Sequence, residues 1–104
     1  MHYHLIVHKE DVAFVASGLN TTISKEQREL ALQALATIDH LINSDSRNVL
    51  EIPKSKDSNQ IPKEIKPGDS VTLYGAYLGM CLPATQITLV LMGINAEYHP
   101  QGII

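Results

Sequence analysis

Short runs of β-branched and aliphatic residues alternate along this chain with stretches of helical period, and that alternation restricts the fold more than any other feature. His2–Val7, Val49–Ile52, Val71–Tyr74 and Ala96–Tyr98 read as strands. Between the first two, Ser24 and Gln27 form a capping-box pattern, in which each side chain satisfies an orphan amide at a helix start. Ala31, Ala34, Leu35, Ile38, Leu41 and Ile42 then recur on one face, with Glu26, Arg28, Glu29, Gln33 and Asp39 mainly on the other. The spacing predicts a helix over about 24–43, ended by Asn43-Ser44-Asp45-Ser46. A second helix over 82–92 takes Pro83 in its first turn and stops at Gly93. Its residues leave little polar face, so it is expected to be buried on most sides.

The other segments are weaker in pattern. Val12–Val15 is either a hairpin partner or the start of a loop. Residues 54–66 are polar and read as a surface loop, Pro67-Gly68-Asp69 as a turn, and the last strand as broken by Pro100 and Gly102. The element order is that of an α/β fold: a small Rossmann-like three-layer domain with a mainly parallel sheet of about four to five strands and two long helices. A chain of 104 residues buries only about two-thirds of its unfolded surface, so residues 1–104 are expected to form one domain. Two helices are few for such a sheet, and a second subunit covering the rest makes a homo-oligomer the expectation.

Hydrophobic residues at 44% and charged residues at 18% exclude a disordered chain. Eight Lys and Arg against eleven Asp and Glu leave a net charge of −3, which argues against nucleic acid as a partner. No apolar run approaches the ~20 residues of a membrane span. Met1-His2-Tyr3-His4 lacks the basic and apolar regions of a signal peptide, so a cytoplasmic location is expected. The single cysteine, Cys81, rules out an intramolecular disulfide and a four-cysteine zinc site.

Cys81 falls where a strand ends and a helix begins. A thiol there faces unsatisfied amides and the positive end of the helix dipole, an environment that favours the nucleophilic thiolate. Ligands of parallel α/β sheets bind at that same end of the strands. The bland alternative is a buried cysteine acting as a small hydrophobe.

Residues 71–98 resemble the C-terminal signature of the isochorismatase-like cysteine hydrolases. Gly75 closes a hydrophobic strand six positions before Cys81, Leu82 and the Ala84-Thr85 pair follow, and Gly93 lies twelve residues beyond the cysteine. Ile38-Asp39-His40-Leu41-Ile42 is similar to the family's first long helix and His4-Leu5-Ile6-Val7 to its opening strand. The resemblance implies a cysteine nucleophile acting on a small-molecule amide, imide or vinyl ether, with no cofactor. It also implies an aspartate from the end of the first strand to take the thiol proton, and a lysine from a middle strand. Val7-His8-Lys9-Glu10-Asp11 stands where the aspartate belongs, so His8 and Asp11 are both candidates. Lys54 or Lys56, just past Val49–Ile52, is the candidate lysine, against the plainer reading of solvated loop charge. Tyr74, Gly75 and Leu82 are the candidate substrate contacts, with packing against the sheet the favoured reading of Tyr74. The chain is well short of typical members, so part of that fold is expected to be missing.

His2, His4 and His8 share parity and would project from one face of a continuous strand, but no acidic ligand is fixed by spacing and no metal is expected. His40 is expected to pack in the core, and His99 is a weak candidate base. Two other functions compete with hydrolysis. One is a reduced, inactive relative serving as a binding or assembly module; the other is a DsrE-like sulfur-relay protein whose single thiol carries persulfide.

Overall fold

The computed structural model describes residues 1–44 and 47–104. Asp45 and Ser46, part of the expected helix stop, lie outside the described residues. The elements are β1 (His2–Val7), α1 (Lys9–Ser17), α2 (Lys25–Ser44), β2 (Val49–Ile52), β3 (Ser70–Gly75), α3 (Cys81–Leu91) and β4 (Asn95–Ile103). All strand pairs are parallel, in the order β2-β1-β3-β4.

Alternation along the strands sends side chains to two separate layers. Leu5, Val7, Val71 and Leu73 join Leu82 and Leu89 of α3 on one face. Ile6 and Tyr74 join Val12 of α1 and Ala34 and Ile38 of α2 on the other. Both faces are thus covered, as a parallel sheet requires. The covering of the α3 face is completed without a helix. Residues 53–69 cross it as turns, pinned by buried Ile65, by Ile61 and by the Thr85 hydroxyl, which lies 2.7 Å from the Ser58 carbonyl. Among the described residues no helix is long and apolar enough to cross a membrane.

Several sequence expectations need correction. Val12–Val15 is neither hairpin nor loop but part of α1, whose first turn is the polar stretch that reads as a break. The last strand continues through Pro100 and Gly102. It can do so because β4 is an edge strand with a register shift opposite Leu73 and Gly75, where a residue without an amide hydrogen breaks no ladder. The second helix is buried on one side only: Ile87, Val90 and Leu91 are exposed, Leu91 by 82%. His40 is likewise exposed rather than packed.

Candidate active site

β2 and β3 lie on opposite sides of β1, so the chain leaves the ends of β1 and β3 in diverging directions, the place where ligands of parallel α/β sheets bind. The segments that follow β1, β2 and β3 supply the titratable groups found there.

β1 ends at Val7, and His8 takes a left-handed conformation (φ 52°) that turns the chain directly into α1. That turn buries both His8 and Asp11. The His8 ring is tied down by a 2.9 Å hydrogen bond from Nε2 to the Lys56 carbonyl, and its Nδ1 stands 3.9 Å from Asp11 Oδ2. A carbonyl can only accept, so that bond places a hydrogen on Nε2.

The other Asp11 oxygen, Oδ1, accepts from the Lys54 ammonium. Lys54 is the first residue after Pro53 at the end of β2, and its backbone N–H donates to the Glu10 carboxylate at 3.1 Å. Glu10 is held below the usual carboxylate range, first by its own backbone hydrogen bond and then by this one. The Lys54 ammonium is held above the usual lysine range. Its hydrogen bond to Asp11 is the main cause, the attraction of that carboxylate follows, and the charges of Tyr77 and Cys81 add to it. The lysine side chain is 61% exposed and the Asp11 side chain 7%, so the pair opens to solvent on the cationic side.

Cys81 is half-buried and is the first residue of α3. No side chain caps this helix and no acidic residue occupies its first turn, which leaves the positive end of the dipole uncompensated. The amides of Met80 and Leu82, on either side of the cysteine, both donate to the Tyr77 carbonyl at 3.0 and 3.1 Å. Among the described residues no hydrogen bond reaches Sγ. Lys54 and Tyr77 feel the thiol through space.

Tyr77 is the site residue that sequence reasoning missed. Burial raises its phenol above the usual range, and the charges of Asp11 and Cys81 raise it further against the opposing pull of Lys54. It stays a neutral donor at physiological pH. Its one sequence signal is an aromatic residue two positions after the strand-ending glycine.

Asp11, His8 and Lys54 thus meet directly, while Cys81 acts on Lys54 only through space. Lys56 contributes its carbonyl and not its ammonium. Packing occupies the three candidate substrate contacts. Leu82 is fully buried in the core beneath α3. Tyr74 is buried on the opposite face, its hydroxyl 3.0 Å from His4 Nδ1 and its ring stacked on His99 at 5.0 Å. Gly75 is held by backbone packing, since a Cβ there would meet the Val7 carbonyl oxygen at 1.9 Å. His99 is thereby also taken up in packing.

His2 stays on the strand with His4, bonded to Ser70 and Thr72 at 2.6 and 2.8 Å, while His8 turns away. The three histidines do not share a face, and among the described residues no group of three or more His, Cys, Asp or Glu is placed to hold a metal.

No family model, curated protein or solved structure matches this chain.

Proposed function

We propose that this chain is a small-molecule hydrolase of the isochorismatase-like kind, with Cys81 as its nucleophile and a small amide, imide or vinyl ether as its substrate. The observation that carries the reading is the contact of Asp11 with Lys54, 43 positions apart in sequence, whose ammonium also feels the thiol at the start of α3. For an amide, the thiol proton passes to the Asp11 carboxylate as sulfur attacks the carbonyl carbon. The carbonyl electron pair moves onto oxygen. With the Met80 and Leu82 amides already bonded to Tyr77, that oxyanion falls to the Cys81 N–H and the Lys54 ammonium. Collapse expels the amine, which takes the proton from Asp11, and water then cleaves the thioester and returns the thiol. His8 acts behind Asp11 as a positioning residue.

The chain acts in this reading as a cytoplasmic homo-oligomer, the outer face of α3 supplying the apolar surface for association. The test is a screen of cyclic imides and small amides with wild type and Cys81→Ala, followed by circular dichroism. Turnover is expected only in wild type, with identical spectra. The proposal sinks, in favour of a binding or assembly module, if the wild-type thiol is inert to iodoacetamide at pH 7 and wild type turns over no faster than Cys81→Ala.

A further inference from the structure

Tyr77 has a second environment. Its side chain helps to line a cleft of about 500 Å³ bounded by Val15 of α1, Ile23 and Leu30 on either side of the start of α2, Leu78 of the β3–α3 loop, and Ile103 of β4. None of the side chains lining it is charged. Its volume lies within the roughly 300–1,000 Å³ of small-molecule sites, and four separate parts of the fold make it concave rather than flat. The same tyrosine is acted on by the charges of Asp11, Lys54 and Cys81. Its carbonyl accepts from the Met80 and Leu82 amides on either side of Cys81, so one residue is shared by the start of α3 and the recess. A charged group entering the recess would exchange its water for two polar side chains, Gln27 and Tyr77, whereas an aliphatic or aromatic group gains by burial.

We infer that this cleft seats the apolar part of the substrate, so that the compound attacked by Cys81 carries an uncharged aliphatic or aromatic group beside its reactive carbonyl. The inference rests on the hydrolase reading, and its test requires no turnover. Iodoacetamide and N-hexyl-iodoacetamide alkylate a thiolate by the same step: sulfur forms the new bond to the methylene carbon and iodide leaves. The ratio of their rates at Cys81, read by mass spectrometry, reports what the cleft does for an alkyl chain.

Wild type is expected to favour the hexyl reagent by about tenfold or more, the scale of discrimination an apolar pocket gives. Leu30→Asp and Leu78→Asp, at side chains 54% and 45% exposed, should bring the ratio close to one. Leu32→Asp, on the same helix but outside the cleft, should keep it. Equal rates in wild type, or a preference that survives both cleft substitutions, overturns the inference while leaving hydrolysis by Cys81 open to its own assay. A preference that behaves as expected in a chain without Cys81-dependent turnover sinks the hydrolase reading alone. Failure of both reagents to label Cys81 overturns both. Dimers that dissociate on Leu30→Asp assign the cleft to a second copy of the chain and overturn the inference as well.

Discussion

Lys54 is largely exposed, yet its ammonium is committed to a carboxylate that is almost fully buried. The two sides of this pair are unequal. Removing the lysine leaves a buried, unpaired negative charge, whereas removing both leaves none. Lys54→Met should therefore destabilise the protein more than the double change Lys54→Met with Asp11→Asn, as chemical denaturation would measure. Because the folded-state pKa of Lys54 is raised, the contribution of the pair is complete below the ordinary lysine range. It is lost as pH climbs through the raised value. A melting temperature followed from pH 7 to pH 11 should fall in wild type over that alkaline interval, and Lys54→Met should lack that component. Lys54→Met should also lower any turnover by about a hundredfold, the scale of one positioned proton or charge contact, with circular dichroism unchanged. Sequence alone leaves Asp11 level with His8 and Lys54 level with Lys56, because the choice is made by a contact across 43 positions that no local spacing encodes.

Elements are legible in proportion to how much of their signal is local. α2 announces itself through its cap and its period, and the cap is present: the Gln27 amide donates to Ser24 Oγ at 3.2 Å, and the Ser24 amide to Gln27 Oε1 at 3.4 Å. Ser24→Ala should cost about 1 kcal/mol in urea denaturation, the usual worth of such a cap. α1 is illegible because it spans nine residues and opens on His8, Lys9, Glu10 and Asp11, which have the composition of a break. What makes it a helix is tertiary, namely Val12 and Val15 packed beneath α2 and its sheet face. Pro100 hides the length of β4 because its tolerance depends on that strand lying at an edge. Gly75 has the sequence setting of a ligand contact, whereas its task is to let two strand ends touch. With φ at 113° and the Val7 carbonyl in the place of a side chain, Gly75→Ala should abolish accumulation of folded protein in a soluble-expression assay.

At the scale of the whole molecule, alternating strands and helices suffice to foresee a parallel three-layer domain, but not which strand ends adjoin. No charged residue occurs between Asp69 and Glu97, and this uncharged stretch includes all of α3. On a chain of net charge −3, a neutral apolar face lets two copies approach with little repulsion. For the homo-oligomer proposed above, Leu91→Glu should shift sedimentation toward the monomer. The crossover over residues 53–69 has another consequence. It is secured by short-range turns, buried Ile65 and scattered side-chain contacts rather than by a helix, so its amides should exchange with deuterium well before those of β1. Lys54 rides at the head of that segment. Each local unlatching would carry the cation off its carboxylate, giving the site a rhythm of opening faster than global unfolding.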